Sequence, residues 1–497
     1  MATPNTSGSV NRITREIASI EKGDDLSIAV ACRDSDVRHI RASIIGPPET
    51  PYEYGFFEFE VTFGKEYPIR SPGVRCITTN GGRCRFNPNI YSEGKVCLSI
   101  LGTWRGNPGE EWSSAQGLES VLVSIQSLMS QNPYENEPGH ETAKQDDPLP
   151  KAYVAKIRHE TIRIAVVQRL EGLLGLGQER GPPLSKRPRI EGAFSSTVDN
   201  GAPNTLSDAL ATANTNLKPV AGGASSGANT PATEPSEYEY DAEATFNAFD
   251  QAQWDPFTDL MKRRFLWYYD TYVQTVTKGA EQHKKGAAFK RMEFEYPPNS
   301  MEGQFDYPGL LSRLHKIKQA LEDEQAAWVK AGVKAVADET QMAVQLAFQF
   351  KQFELRWNDA QYEGSRMELS LPDKTNPFLW HLTLFGTPMT NLDGGIFNMS
   401  LFIPPAFPAV QPRLKIDTPI FHHRVSSTGT LCYFPKKEDE IASHLQAIVT
   451  AIEDEDPRFD PRAVVRPEAF ALFWGGEEKR KVYSRKLRRS AQESCEF

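Results

Sequence analysis

One cysteine stands where a thiol could work as a nucleophile. Cys97 closes the run Phe86–Ser99 (FNPNIYSEGKVCLS), just past a glycine-containing turn between two predicted elements, a place where a thiol can be exposed. Only the thiolate attacks, and a free cysteine ionises near about 8.5. Cys32 and Cys76 lie instead in apolar, strand-like text and read as core. A second run, Phe421–Phe434 (FHHRVSSTGTLCYF), puts Phe, Gly and Cys in the same register, so Cys432 repeats Cys97 while His422, His423 and Arg424 stand where Asn87, Pro88 and Asn89 stood. An Asn after Pro is ordinarily a turn residue. His422, His423 and Cys432 match no common zinc spacing, and no metal is expected.

The elements around these runs also come twice. Val10, Ile13, Ile17 and Ile20 fall on one helical face, with Ser9 as a cap and Arg12, Arg15 and Glu16 on the wet side. After the turn Gly46–Pro51, Phe57, Phe59, Val61 and Phe63 alternate with Glu58, Glu60 and Thr62, the period of a half-buried strand. A Pro-rich corner follows (Tyr67–Pro72), then Cys97, then a helical spacing at Leu118, Val121, Leu122, Ile125 and Leu128. In the last third Phe397, Met399, Leu401 and Ile403 alternate, Pro404–Pro412 makes the corner, and Ile441, Leu445, Ile448 and Ile452 supply the helix after Cys432. The period of hundreds of residues means a duplicated domain rather than a solenoid. One helix, a meander and further helices read as α+β with an antiparallel sheet.

A chain of 497 residues predicts at least two domains. Its net charge of -9 argues against nucleic acid as the main partner. No apolar run approaches membrane-spanning length, and six Cys without paired spacing fit a reducing compartment. Ser195–Glu237, rich in Ser, Thr, Asn, Ala, Gly and Pro, predicts a disordered linker. Order should resume near Phe246, with helices at Trp254–Tyr272 and through Leu310, Leu314, Ile317 and Leu321. Lys186–Arg189 (KRPR) reads either as a nuclear import signal or as a chance basic run, and Glu477–Ser490 as a charged terminal helix or a basic tail.

The runs GPPETPYEYGFFEFEV, RFNPNIYSEGKVCLSILGTW and WSSAQGLESVLVSIQSLMSQNPYENEP, in this order, resemble the ubiquitin-conjugating (UBC) family, and the Gly-Thr-Trp after Cys97 and the helical text Ile157–Gly172 are similar to its large Z-type class. The resemblance implies an α+β chain of two UBC-like domains: a catalytic domain over 9–181, a linker over 182–245, a helical extension over 246–335 and a second, degenerate domain over 336–497. It implies that Cys97 carries ubiquitin or a ubiquitin-like modifier as a thioester, received from an activating enzyme that itself spends the ATP, so that no cofactor is needed. The acyl group would pass to a lysine of a protein substrate or to a ubiquitin ligase.

By the same resemblance Asn89 supports the loop and stabilises the oxyanion, and Glu135, with Asn136 next to it, orients and deprotonates the incoming lysine, whose ammonium ionises only near about 10.4. Asn87 stands where the family usually has His. Arg12 and Arg15 match positions that meet the activating enzyme; Ile69 and Ser114 match positions that meet ligases, although Ser114 replaces the usual Pro. The loop Gly102–Glu111 is longer than usual and is read as a shield over the cysteine or a selector of substrates. Cys432 and Asp460 mark a second candidate site that has lost its Asn. A cytosolic enzyme, nuclear if the KRPR run is a signal, is the resulting reading, with no nucleic acid and no membrane among its partners. The rival is a non-catalytic scaffold, for which an intact Asn89 and Cys97 have no chemical use.

Overall fold

The computed structural model describes residues 6–23, 25–106, 109–176, 254–297, 299, 301–357 and 367–496; the linker, the KRPR run and the restart near Phe246 lie outside them. The chain opens with helix α1 (Thr6–Lys22), which buries Ile13, Ile17 and Ile20. Ser9 lies inside its first turn rather than capping it, and accepts a hydrogen bond from Arg38 (2.6 Å). The strands β1 (Ile28–Arg33), β2 (Asp36–Ile45), β3 (Phe56–Thr62) and β4 (Gly73–Cys76) form an antiparallel meander in sequence order. Ile44 pairs with Phe57 and Ala42 with Phe59, so these side chains share the face that packs on α1 and α2 (Leu118–Ser127).

The other face of this sheet departs from the half-buried reading. Glu58 is only 4% exposed and sits between Arg41 (3.0 Å) and Arg169 (2.6 Å). Ile45 and Phe56 pack with Ile162, Val166 and Leu170 of a continuous helical stretch made of α3 (Pro148–Glu160), a π-helical segment (Thr161–Gln168) and α4 (Arg169–Leu174). An acidic residue in an alternating strand signals solvent only where no cation from elsewhere in the chain meets it.

Two long helices follow: α5 (Thr258–Gln282) and α6 (Tyr307–Ala337), the latter capped by Asp306, which accepts from the Gly309 amide at 3.0 Å. The segment between them folds back on itself (Phe289 N–H to Gly303 O, 2.8 Å; Phe305 N–H to Ala287 O, 2.9 Å) and sends Met292, Phe294 and Met301 into the core of the first domain. A second domain repeats the plan with α7 (Gln341–Trp357), the meander β5 (Met367–Ser370), β6 (Leu379–Phe385), β7 (Ile396–Phe402) and β8 (Arg413–Ile416), then α8 (Ile441–Glu453), α9 (Pro467–Phe473) and α10 (Glu477–Glu493). It has its own core, centred on Trp380, Leu382, Phe397, Met399 and Leu445. Among the described residues no helix is long and apolar enough to cross a membrane.

Candidate functional site

Backbone bonds build the Cys97 turn first: Ile90 N–H to Asn87 O (2.9 Å), Tyr91 N–H to Lys95 O (2.9 Å) and Cys97 N–H to Asn89 O (2.8 Å). Gly94 lets it close. Its φ is +101°, and a Cβ there would lie 2.4 Å from the Cys76 carbonyl oxygen. Side chains then fix the turn from three sides. Asn87, wholly buried, donates to the Tyr52 hydroxyl (3.0 Å) and Leu128 O (2.8 Å) and accepts from Asn89 N–H (2.9 Å). The Asn89 amide donates to Cys97 O (2.9 Å). From the Gly-Thr-Trp segment, Thr103 Oγ1 donates to Val96 O (2.7 Å) and accepts from Leu98 N–H (3.0 Å), bracketing the cysteine.

Cys97 itself is only 4% exposed, so the open position expected past the turn is replaced by a covered one. Burial pushes its pKa up, while Lys95, a hydrogen bond from Tyr91 and the charge of Arg85 pull it down, and Glu93 opposes them. Cys76 is buried and pushed up to about 12 by burial; Cys32, expected in the core, is half-buried on β1.

Sequence reasoning missed Arg85 and Tyr91. The Arg85 guanidinium lies 4.6 Å from the Tyr91 ring and donates to Pro88 O (2.5 Å) and Phe294 O (3.3 Å). It also meets Glu137 at 3.4 Å. The acidic loop, whose 3₁₀ turn is Pro133–Asn136, reaches the cysteine turn through Asn136, which donates to Leu128 O (3.0 Å) and Asn87 Oδ1 (3.4 Å), and through Glu137. Burial pushes the Glu137 carboxyl up, against the pull of Arg85. Glu135, the carboxylate expected here, is half-buried on the turn itself. A buried Arg one residue before the motif was the available signal, because it needs a carboxylate in reach.

The partner positions divide. Ile69 is 79% exposed and Ser114 is exposed, and Trp112 Nε1 donates to Pro68 O (2.9 Å), tying their two loops together. Arg15 is exposed, but Arg12 is engaged at home, by Glu16 (2.8 Å), Gln116 O (2.6 Å) and the Tyr67 ring.

Around Cys432 the backbone is the same and the surroundings are not. Cys432 N–H donates to Arg424 O (2.9 Å), as Cys97 does to Asn89 O. The thiol is wholly buried and pushed up to about 12 by burial, with Arg424 and Arg264 pulling down and Asp460 pushing up. Helix α5 covers the site: Arg264 stacks on Trp267 (4.2 Å), Trp267 meets Phe434 edge-on (5.4 Å), and Asp270 accepts from Ser427 N–H (2.7 Å) and Oγ–H (2.8 Å). Asp460 is held by Arg462 (2.9 Å).

Comparison with known proteins matches the family model described as ubiquitin-conjugating enzyme at residues 12–160 and again at 350–454. A protein named ubiquitin-conjugating enzyme E2 Z from Xenopus tropicalis is 52% identical over 163 residues, 33% of this chain and 51% of that protein. Its human namesake is 50% identical over 161 residues, 32% of this chain and 44% of that one. The chain thus spans about half the length of the curated relatives it matches. A solved E2 domain of a ubiquitin-conjugating enzyme from Toxoplasma gondii is 28% identical, covers 31% of this chain and 97% of its own, and gives a TM-score of 0.25.

Proposed function

Because the chain belongs to the ubiquitin-conjugating enzyme family, we propose that it takes ubiquitin or a ubiquitin-like modifier from an activating enzyme as a thioester on Cys97 and hands it to a substrate lysine or a ligase. The observation that carries this reading is the cysteine turn, fixed by the Asn89 amide on Cys97 O and by Thr103 on both flanking residues. In loading, the Cys97 thiolate attacks the activated carbonyl carbon of the modifier and the previous carrier leaves. In discharge, a neutral lysine amine forms the C–N bond, the C–S bond breaks with its electron pair on sulfur, and the surplus amine proton passes to water. Asn89 spends one N–H on the Cys97 carbonyl and keeps the other for the oxyanion that forms when the lysine attacks. Glu137, whose carboxyl is pushed up by burial, joins Glu135 as a group suited to take the lysine proton. ATP is spent by the activating enzyme, and no cofactor enters these steps.

The scaffold reading has no use for the bonds that fix this turn. In the second domain, the buried Cys432 under α5 favours a bracing role over transfer, and with it the division into catalytic domain, extension and degenerate domain. The test is a charging reaction with activating enzyme, ATP and modifier. Wild type should give an adduct removed by thiol reductant, Cys97→Ser an ester that resists it or none, and Cys97→Ala none. Full charging of Cys97→Ala refutes the proposal.

A further inference from the structure

Resting on that reading, we infer that Arg85 is a positioning residue for discharge: it ties the acidic loop to the cysteine turn and so presents the Glu137 carboxylate to the incoming lysine. Arg85 is buried, one residue before the run that leads to Cys97. One of its terminal nitrogens donates to Pro88 O (2.5 Å), next to Asn89, and reaches Glu137 Oε2 (3.4 Å); the other donates to Phe294 O (3.3 Å). A single planar group thus joins the turn that bears Asn89, the acidic loop and the segment between α5 and α6. A guanidinium serves here because its donors leave in a fixed fork, which a lysine ammonium lacks.

The carboxylate held in this way is placed to work. Glu137 keeps Oε2 on Arg85, while its Oε1 has no partner among the described residues. The Glu137 side chain is 21% exposed against 6% for Arg85, so the carboxylate is the end of the pair that solvent, and an amine arriving from it, can reach. Phe294 packs on both members of the arrangement. Its ring lies 5.7 Å from the guanidinium, 5.4 Å from the Tyr134 ring and 6.1 Å from that of His140, the last two on the acidic loop. The charged and titratable groups that face Glu137 are Arg85, His140, Tyr91 and Tyr134. Burial favours the neutral carboxyl and Arg85 opposes it, so Arg85 both aims Glu137 and keeps it in the ionised form that accepts a proton. The ammonium proton of the lysine passes to this carboxylate, and the neutral amine then attacks the thioester carbonyl.

The experiment follows loading of Cys97 and discharge of its thioester to free lysine, in the full chain and across pH. Wild-type discharge should fall on the acid side as Glu137 takes up its proton. Arg85→Met should slow discharge about 10- to 100-fold near neutrality, as a small misplacement of a reacting group does. It should slow loading far less, through the charge it removes near the thiol. The acid-side fall should move to higher pH, because a buried carboxylate without its cation binds a proton more readily. Arg85→Lys keeps the charge and loses the fork, so the fall should return toward its wild-type pH while the plateau stays low. In a Glu137→Gln background Arg85→Met should add little to the loss in discharge, because both changes disable one unit. Equal losses in loading and discharge, an acid-side fall that does not move, or a full further loss in the Glu137→Gln background overturns the inference. If Arg85→Met does not fold, Glu137→Asp decides, since it leaves Arg85 whole and draws the carboxylate back from it. Slower discharge with the fall at higher pH then supports the inference, against the lower pKa that Asp has by itself, and an unmoved or lowered fall overturns it. Failure of wild type to charge refutes the proposed function itself, whereas the contrary outcomes above, in a wild type that charges, overturn this inference alone.

Discussion

The Lys156–Glu295 pair predicts what holds down the segment between α5 and α6, a strap laid on the first domain. The side chains are 0% and 1% exposed, the ammonium meets both carboxylate oxygens at 2.5 and 2.6 Å, and Glu295 further accepts from Met292 N–H (2.9 Å). Removing one partner of such a buried pair strands the other and costs about 3–5 kcal/mol, whereas removing both together is nearly neutral. The pair ties α3 to the strap, so the cost should fall on opening of the strap. At roughly 1.4 kcal/mol per tenfold, Lys156→Met should speed amide exchange of Met292, Phe289 and Phe305 by about two to nearly four decades. Amides of β2 and β3 should change far less. Lys156→Met with Glu295→Met should return strap exchange to within about tenfold of wild type. If the single variant changes strap exchange by less than tenfold, or the double variant exchanges faster than either single one, the pair is not what anchors the strap.

Other consequences concern the site. Asn89→Ala should slow single-turnover discharge to lysine by roughly 10²–10³ and loading by less; equal losses would mean that the turn has collapsed. Lys95→Ala removes a charge that favours the thiolate and opposes the effect of burial, so the thiol should ionise at higher pH than in wild type. Loading should then fall by roughly two- to fivefold near neutrality, the scale of one exposed charge, and recover as pH rises; a loss independent of pH would contradict this. In Cys97→Ala protein, mass spectrometry after a charging reaction should find no modifier on Cys432; a modifier found there would mean a chain with two active sites.

Local pattern carried much of the architecture: the helical face of Ile13 and Ile17, the alternation through β3 and β7 and the repeated turn before each cysteine are all short-range signals, and the structure contains those elements. What stayed hidden depends on contacts from far along the chain. Glu58 reads as solvated until Arg169 is placed beside it, and Arg12 reads as a free basic position until Gln116 and Tyr67 close on it. The thiol reads as open because its glycine turn is the only part of its surroundings that is local in sequence, yet in the fold Cys97 is 4% exposed. The choice among Glu135, Asn136 and Glu137 turns on which of them a 3₁₀ turn aims at Arg85, and spacing alone does not fix that. The helix starting near Trp254 was legible from its aromatics, but its use, covering a second cysteine site, was not.

The two domains together separate what a UBC fold needs from what the chemistry needs. Both copies keep the backbone of the turn: the Cys N–H bond to the residue eight back, Gly94 and Gly429 at positive φ, and the 2.8 Å bonds from Cys76 N–H to Gly94 O and from Ile416 N–H to Gly429 O. They differ in the side chains that aim the turn. Where Tyr52 reaches Phe86 O and Asn87, the second copy has Leu392, and the space beside it is lined by His422 and His423. His422 Nδ1 still accepts from Arg424 N–H (3.1 Å), in the manner of Asn87 Oδ1, so the turn keeps its brace. What has gone is the amide on the cysteine carbonyl; Arg424 stands in its place, and α5 lies over the thiol with Arg264 buried among Trp267 and Phe434. A site kept for transfer has to admit a lysine and the tail of a modifier, and one covered by a helix through Asp270 and Trp267 cannot do so without releasing it. The same helix stacks Tyr268 on Tyr54 (4.0 Å) and donates from Tyr272 to Tyr54 O (2.7 Å). The helix that lies over the second cysteine thus also packs against the back of the first domain's sheet.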